Sequence, residues 1–181
     1  MTGATKTESL SDWGVALASD VCTKVQSGGT PKTGFTDVPG VPFLKVYNIV
    51  NQKIDFRYRP QFVPETVHRG VSKESIAYPG DVITNIVGPP LGKVAIVPDD
   101  YLEWNLNQAI TIFRPGPLVT REWLYIYLCS GVFMESEDLV TRGSAGQSNI
   151  SLTQCRNLTV PLPSIAEQRE IARRGAESTS C

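Results

Sequence analysis

The stretch Ser27-Gly-Gly-Thr-Pro-Lys32 carries groups that suit the binding of an anion such as a phosphate. Two adjacent glycines allow neighbouring backbone N–H groups to converge on a negative charge, while Thr30 and Lys32 add a hydroxyl and a positive charge. The candidate phosphate contacts in this stretch are Ser27, Gly28, Gly29, Thr30 and Lys32. A plain loop without a ligand is the alternative interpretation, which the residue types alone leave open.

Planar and cationic side chains follow in two predicted strands, one over residues 41–49 and one within 51–59. Recognition of a nucleic acid needs both types, because cations hold phosphates and planar side chains meet base edges. Arginine bound to guanine through two hydrogen bonds is the commonest specific contact in the major groove. The candidate DNA contacts here are Lys45, Tyr47, Asn48, Arg57 and Arg59. Strand alternation places Phe43 on the same face as Lys45 and Tyr47, so some of these side chains must be structural.

A glycine-rich loop near residues 143–151 supplies a third set of polar side chains. Its candidate DNA contacts are Arg142, Ser144 and Gln147, since arginine can hold a phosphate and glutamine can read adenine. We interpret Asn149 as a residue that closes this loop. Ser151 with Gln154 forms a capping-box pattern, which predicts a short helix over residues 152–157.

Residues that could catalyse a reaction are scarce. His68 is the only histidine and no GxSxG nucleophile elbow occurs, so we interpret His68 as a surface or capping histidine. Gly88-Pro-Pro-Leu-Gly-Lys93 is one residue short of a phosphate-binding P-loop and is followed by Val94 instead of Ser or Thr. The same run lacks the Asn or Asp and the aromatic residue that flank Pro-Pro in amino-methyltransferases. It predicts a hairpin connection, and the sequence predicts no catalytic residue and no cofactor.

The spacing of the cysteines and carboxylates predicts no metal site. The cysteines are Cys22, Cys129, Cys155 and Cys181, with no CxxC pair among them. Free thiols in a reducing compartment are the expected state. Acidic pairs such as Asp99-Asp100 have no His or Cys partner close in sequence, so we expect no bound metal.

Composition bounds the class of protein. The chain has 181 residues, 41% of them apolar, which suits one ordinary domain. Its net charge is −1, yet residues 24–79 carry eight Lys or Arg against four acids, while residues 80–140 carry three against eight. A basic face on the first half is one interpretation and an ordinary solvated surface is the other. No apolar run is long enough for a membrane helix and residues 1–11 have no apolar signal region, so we expect no membrane and a cytoplasmic location.

The order of the predicted elements favours an α+β domain with a mostly antiparallel, twisted, multi-stranded sheet and a few helices. Thr120 begins the best helix, with Trp123, Leu124, Tyr127 and Leu128 on one apolar face. The remaining predicted strands cover residues 80–87, 93–97, 107–114 and 158–162, and short helical turns are predicted at residues 17–24 and 64–73.

The last helix start carries the clearest likeness to a known family. Pro161-Leu-Pro-Ser-Ile-Ala-Glu-Gln-Arg-Glu-Ile-Ala-Arg-Arg174 contains a capping box at Ser164 and Glu167, so a helix begins there. Together with Ser27-Gly-Gly-Thr-Pro-Lys32, Pro42-Phe-Leu-Lys-Val-Tyr-Asn-Ile49 and Gly146-Gln-Ser-Asn-Ile-Ser151, this run resembles the DNA-specificity subunits of type I restriction–modification enzymes.

The resemblance implies a function without catalysis. A target recognition domain of this family selects a site on double-stranded DNA for partner subunits, a methyltransferase (modification) subunit and a restriction subunit. S-adenosylmethionine and ATP would then belong to those partners. A second copy of the chain or a second half-subunit is a further candidate partner. The alternative is a protein–protein interaction module that reads no DNA, formed by the apolar helix near residues 120–133 and the last helix.

The resemblance also divides the chain. Residues 1–11 are expected to be a flexible N-terminus, 12–163 the target recognition domain, 164–174 the start of a long spacer helix, and 175–181 a disordered tail. Gly175 is predicted to stop the last helix, because glycine is unfavourable inside helices. A full specificity subunit has two recognition domains and two long spacer helices, so this chain departs from the family pattern.

Overall fold

The computed structural model of the chain describes residues 13–32, 34–36, 39–135 and 149–178. The strands are β1 (Gly14–Leu17), β2 (Cys22–Ser27), β3 (Val41–Leu44), β4 (Ile49–Val50), β5 (Lys53–Ile54), β6 (Phe62–Val63), β7 (Val82–Asn85), β8 (Val94–Ile96), β9 (Asn105–Leu106), β10 (Ile110–Pro115) and β11 (Thr159–Leu162). The α-helices are α1 (Ala18–Val21), α2 (Glu65–Arg69), α3 (Arg121–Ser130), α4 (Leu152–Arg156) and α5 (Ile165–Ser178). Short 3₁₀ turns cover Val46–Asn48, Lys73–Ser75 and Val132–Glu135.

The centre of the fold is an antiparallel sheet with strand order β2-β10-β7-β8. Both of its faces are buried. Val82 and Phe113 contribute to one apolar cluster, whereas Ile83 and Ile112 contribute to another. Successive side chains of a strand point to opposite faces, so alternate residues of β7 and β10 fill two separate cores. The prediction of an α+β fold with mostly antiparallel strands is confirmed.

Helices cover one face of this sheet. The apolar face predicted for α3 is confirmed, because Trp123, Leu124, Tyr127 and Leu128 are all buried there. Thr120 caps the helix by accepting a hydrogen bond from the Trp123 backbone N–H at 3.2 Å. Gly131 ends it with a φ of +72°, a conformation that glycine adopts without strain. The antiparallel ribbon of β1 and β11 lies beside the helices.

Short strands and loops cover the other face. Strand β3 pairs with β6 in the antiparallel direction and with β9 in the parallel direction. Leu44 and Trp104 are buried with the central sheet on this side. The β4–β5 hairpin turns through Asn51 and Gln52, whose φ values of 50° and 59° match a type I′ turn.

The prediction of one strand over residues 41–49 was wrong. The strand stops at Leu44, and Val46–Asn48 form a 3₁₀ turn instead. The side-chain amide of Asn48 accepts a hydrogen bond from the Lys45 backbone N–H at 3.0 Å, which bends the chain at this point. Lys45 and Tyr47 therefore do not share the face of a strand.

The hairpin predicted across residues 88–92 is confirmed. Strands β7 and β8 pair across it, and Gly88 and Gly92 adopt φ values of 86° and 85°. The Asn85 side chain organises this turn, because its amide accepts from the Lys93 N–H at 2.9 Å and donates to the Pro90 carbonyl at 2.9 Å. The run therefore serves as a turn and is not a phosphate-binding loop.

The last helix begins as predicted but does not end as predicted. Ser164 and Glu167 form both bonds of the capping box, at 2.7 and 3.3 Å. The helix then continues through Gly175 to Ser178, so the predicted stop at Gly175 was wrong. Glycine in a helix interior costs only about 1 kcal/mol. Glu170 bonds to Arg173 and Arg174 in the preceding turn at 2.9 and 2.7 Å, which favours the helix up to that point. Within the described residues, no helix is both long and apolar enough to cross a membrane.

Candidate nucleic-acid interface

An exposed loop, Asp55 to Pro60, carries two of the predicted DNA-contacting arginines. Arg57 and Arg59 are both exposed, and neither forms an ion pair with the part of the chain that the structure describes. Tyr58 lies between them and is 54% exposed. This loop therefore presents two guanidinium groups and an aromatic ring to solvent.

The buried side chain of Asn48 fixes the shape of this loop. Its side-chain nitrogen donates to the backbone carbonyls of Asp55 and Tyr58 at 3.2 and 3.0 Å, while its oxygen accepts from the Lys45 N–H. Asn48 is completely buried, so its assignment as a DNA contact was wrong. A buried amide whose bonding capacity is used by the backbone fixes loop shape instead.

Tyr47 orients Arg59. The Tyr47 hydroxyl donates to the Arg59 carbonyl at 3.1 Å, and the Arg59 guanidinium lies 5.6 Å from the centroid of the Tyr47 ring. Tyr58 packs edge-on against the same ring with 5.9 Å between centroids. Arg59 has a φ of +51°, a left-handed conformation that costs a non-glycine residue roughly 1–2 kcal/mol. Such strain is often found at functional sites, and the surrounding bonds maintain it here.

Lys45 lies beside a second aromatic group. Its ammonium nitrogen is 4.9 Å from the centroid of Phe35, and Phe35 packs edge-on against the buried Phe43 at 5.1 Å. The Lys45 side chain is thus partly held against the protein while its charge stays near the surface.

The anion-binding nest predicted at Gly28 and Gly29 was wrong. Both backbone N–H groups are already used, because Gly28 donates to the Ile110 carbonyl at 2.8 Å and Gly29 to the Leu106 carbonyl at 3.0 Å. A Cβ atom at Gly28 would overlap the carbonyl oxygens of Leu106 and Asn107. The glycine is needed for close packing of backbones and not for an anion.

The other residues of this stretch have different surroundings. Ser27 is the last residue of β2 and pairs with Thr111 of β10. The Thr30 hydroxyl is hydrogen-bonded to the side-chain carbonyl of Gln108, whereas Lys32 is exposed. Lys32 is therefore the member of this stretch that is best placed to bind a phosphate.

The third predicted set, Arg142, Ser144 and Gln147, lies outside the described residues. Asn149, which follows it, forms an isolated antiparallel bridge with Val87, and the Ile150 N–H donates to the Ile86 carbonyl at 2.8 Å. The capping box of α4 is confirmed, with Ser151 and Gln154 bonded in both directions at 2.9 and 3.2 Å.

His68 is neither a surface residue nor a helix cap, so that interpretation was wrong. It is completely buried, with Nε2 3.0 Å from the Glu103 carboxylate and Nδ1 3.0 Å from the Asn105 amide nitrogen. That nitrogen also donates to the Ser72 carbonyl at 3.0 Å, so it is a donor and Nδ1 must accept. Nε2 therefore carries the proton and donates to Glu103. The histidine ties α2 to β9 and has a structural role.

Not every cation of the first half of the chain is available for a ligand. Arg69 bonds to Glu65 and Glu103, and its guanidinium is the main cause of the lowered pKa of the Glu103 carboxyl. Lys24 is half-buried, and its pKa is lowered first by burial and then by the charge of Arg114. Among the described residues of this half, the exposed cations without an ion pair are Lys32, Lys53, Arg57, Arg59 and Lys73, and Lys45 is partly exposed.

The described cysteines are poor nucleophiles. Burial raises the pKa of the Cys22 thiol to about 12 and that of Cys155 to about 11, and it also raises the pKa of Cys129. The thiolate is the reactive form, so these three side chains remain protonated and inert at neutral pH.

Sequence reasoning missed an aromatic cleft next to Arg57. The cleft has a volume of about 620 Å³ and its wall includes Phe56, Phe62, Tyr101 and Trp104. Tyr101 and Trp104 lie more than 40 residues from Phe56 in the chain, so no local spacing could predict this group. The mixture of two arginines and an aromatic ring at residues 57–59 was the one local sequence pattern that indicated a binding surface here.

Comparison with known proteins identifies the family. Residues 10–174 match the family model of the type I restriction modification DNA specificity domain. The chain belongs to this family. This specificity domain is 25% identical over 167 residues to a candidate type I restriction enzyme specificity subunit, MjaX, of Methanocaldococcus jannaschii, covering 90% of the chain and 38% of the relative. It is 29% identical over 138 residues to the type I restriction enzyme EcoBI specificity subunit of Escherichia coli, covering 75% of the chain and 28% of the relative.

The fold of the specificity domain is also found in a solved structure. A chain from a structure on complex assembly and conformational transition of the type I restriction–modification system matches with a TM-score of 0.70 at 21% identity. The match covers 98% of the specificity domain and 40% of that chain. The specificity domain thus spans well under half the length of each of these relatives.

Proposed function

We propose that this specificity domain recognises a short sequence in duplex DNA for a type I restriction–modification complex and catalyses no step itself. Its family membership supports this proposal. The observation that carries it is the exposed Asp55 to Pro60 loop, whose Arg57 and Arg59 are free of ion pairs within the described residues while buried Asn48 fixes the loop. Residues 12–163 would form the recognition domain, and α5 would be the start of a spacer helix.

The proposed mechanism divides two tasks among these side chains. Lys32 and Lys45 would hold backbone phosphates, which sets the position of the protein on the duplex but carries no sequence information. Arg57 and Arg59 would reach base edges in the major groove, where an arginine can bond to both acceptors of guanine. Tyr47 would keep Arg59 in one pose, so less conformational entropy is lost on binding.

The proposed contact set is narrower than the sequence predicted. Asn48 and the amides of Gly28 and Gly29 are removed, because their bonds are already made within the protein. The retained residues are Ser27, Thr30, Lys32, Lys45, Tyr47, Arg57 and Arg59, together with Arg142, Ser144 and Gln147 as predictions from sequence.

Partner subunits would supply the chemistry. A modification subunit would transfer a methyl group from S-adenosylmethionine to an adenine, and a restriction subunit would cleave DNA with ATP. A net charge of −1 suits such a division, because partner subunits can provide most of the cationic clamp around DNA. Mixing the chain with a type I modification subunit and mapping any methylated adenines tests this partnership.

The direct test is DNA binding by the isolated chain as a function of salt. We expect weak binding to duplex DNA at low ionic strength, measured by fluorescence anisotropy. Each phosphate contact adds about 0.9 to the slope of log affinity against log salt. Replacing both Arg57 and Arg59 with alanine should weaken binding by at least tenfold, since each lost contact to a base or phosphate is worth about 1–3 kcal/mol.

Arg121→Ala is the matched control. Arg121 is also an exposed arginine, but it is paired with Glu122 at 2.6 Å at the start of α3, outside the proposed contact set. Its loss should leave the affinity within twofold. No binding at low salt would favour the protein–protein alternative, and equal losses in both variants would show that only overall charge matters.

A further inference from the structure

We infer that the aromatic cleft beside Arg57 receives a single unpaired nucleobase of the bound DNA. This inference rests on the proposed function and extends it, because it adds a pocket for one base to a surface that contacts the duplex. The cleft lies next to the Asp55 to Pro60 loop, and Phe56, Arg57 and Pro60 of that loop line it. DNA held by the loop would therefore lie at the mouth of the cleft.

The size and the walls of the cleft suit a planar ring. Its volume of about 620 Å³ lies within the range of sites that bind small molecules. Tyr101 packs edge-on against Phe56 and Trp104, with centroids 6.0 and 4.9 Å apart. None of these contacts is a parallel stack, and Tyr101 is 38% exposed, so part of this side chain is accessible to a guest in the cleft. Every nucleobase has a planar face that can stack on an aromatic side chain.

The polar groups at the cleft distinguish a base from other guests. Arg57 lies there with the carboxylates of Asp55 and Asp100. Carboxylates repel a phosphate, but they accept hydrogen bonds from the amino groups of bases. The Arg57 guanidinium beside them can donate to the acceptor atoms of the same base. The Asp55 carboxylate already accepts a hydrogen bond from the Arg57 backbone N–H at 3.1 Å, whereas a purely apolar side chain of a partner protein would offer no bond to the Arg57 guanidinium or to Asp100.

The back wall of the cleft is fixed by contacts within the protein. Trp104 is 1% exposed, and its indole N–H donates to the Pro98 carbonyl at 3.2 Å, which fixes the back wall. Tyr101 at the mouth is the ring whose removal would change the cleft with least effect on the core. A base that enters must first leave its stack, at a cost that is smallest when it is unpaired.

The test compares two duplexes of the same sequence, one fully paired and one with a single bulged adenine. The wild-type chain should bind the bulged duplex more tightly by about five- to 150-fold, which is the gain expected from stacking one base on an aromatic side chain. Tyr101→Ala should remove this preference while leaving affinity for the paired duplex unchanged. Tyr101→Phe should retain the preference because the ring remains.

Leu102→Ala is the matched control, because Leu102 is the adjacent residue, is 89% exposed and does not line the cleft. The Leu102→Ala chain should prefer the bulged duplex as strongly as the wild-type chain does. A second measurement does not depend on any variant: 2-aminopurine placed at the bulge should lose fluorescence on binding to the wild-type chain, because stacking quenches it.

The inference is overturned if the wild type binds both duplexes equally, or if Tyr101→Ala keeps the preference. It is also overturned if Tyr101→Ala weakens binding only to the modification subunit, since the cleft would then hold a protein segment. These outcomes leave the proposed function intact provided that the paired duplex still binds and the double variant of Arg57 and Arg59 still weakens it. Absence of all DNA binding would instead contradict the proposed function itself.

Discussion

Two regions of this molecule are each organised by one completely buried amide, and they differ in what that amide supports. In the loop region, residues 45–60, the buried Asn48 side chain bonds to three backbone groups. The arginine and tyrosine side chains of this region lie on its outer side. In the helix region, α3 with α5, Gln168 accepts from the Thr120 N–H at 2.8 Å and donates to the carbonyls of Leu118 and Pro163 at 3.1 and 2.9 Å. A buried amide thus fixes the shape of an exposed loop in one region and joins two helices in the other.

The difference lies in the neighbours of each amide. The helix region that contains Gln168 is packed by apolar contacts, such as the edge-on pair of Trp13 and Trp123 at 5.4 Å, and Ile171 of α5 packs against the core. The loop region also buries apolar side chains, with Ile49 in the core and Ile54 and Phe56 packed against it, but its outer side carries exposed rings and charges. A surface that binds a polar ligand must stay exposed, so burial of that surface cannot stabilise it. Hydrogen bonds from buried side chains on the inner side of the loop must define its shape instead.

Replacing Gln168 with alanine should produce the largest loss of stability, about 3 kcal/mol. Three backbone groups would lose their partner in a buried site, and each unsatisfied group costs about 1–3 kcal/mol before relaxation. Urea unfolding of the variant measures this change. Arg169→Ala, at the neighbouring exposed position, is the control and should change the free energy of unfolding by less than 0.5 kcal/mol. A loss below about 1 kcal/mol for Gln168→Ala would mean that packing alone fixes α5.

Replacing Asn48 with alanine should cost about 2 kcal/mol, because the nearby surface lets water reach the freed backbone groups. The comparison predicts a second effect here that is absent for Gln168. Affinity for duplex DNA should fall at least as far as in Arg59→Ala, since the whole loop loses its shape. Val50→Ala in the same hairpin serves as the control, because this uncharged residue is 43% exposed and its loss should leave DNA affinity unchanged. If the Asn48 variant retained wild-type affinity for duplex DNA, DNA binding would not depend on the hydrogen bonds that Asn48 makes to the loop.

The smallest effect concerns the backbone of Arg59, which has a φ of +51°. Arg59→Gly and Arg59→Ala both remove the guanidinium, but only glycine adopts this conformation without strain. The glycine variant should therefore be more stable than the alanine variant by about 1 kcal/mol, measured by thermal unfolding. Both variants should bind DNA equally poorly. Equal stabilities would show that the left-handed conformation at this position is not strained.

Elements defined by local chemistry could be predicted from the sequence. The capping residues Thr120, Ser151 and Ser164 each bond to a backbone N–H three residues further on, so the signal and its effect lie within one turn. The Gly-Pro hairpin between β7 and β8 is local in the same sense. Local patterns suggested an α+β fold, and the resemblance to the specificity-subunit family supported that prediction.

Roles that depend on distant partners could not be predicted. The amides of Gly28 and Gly29 bond to carbonyls about 80 residues away, and His68 bonds to groups 35 and 37 residues away. Asn48 looks like a surface residue of a strand until the loop that it clamps is known. The continuation of α5 through Gly175 shows a related limit of sequence-based prediction. The unfavourable helix propensity of this one glycine is outweighed by the helical turns that precede it.

The anchoring of α5 at its first turn has a mechanical consequence. A helix of 14 residues extends about 21 Å at 1.5 Å per residue, and its base is fastened to α3 through Gln168. A load on the outer end of α5 is therefore transmitted through Gln168 to α3 and, through the buried face of α3, to the central sheet.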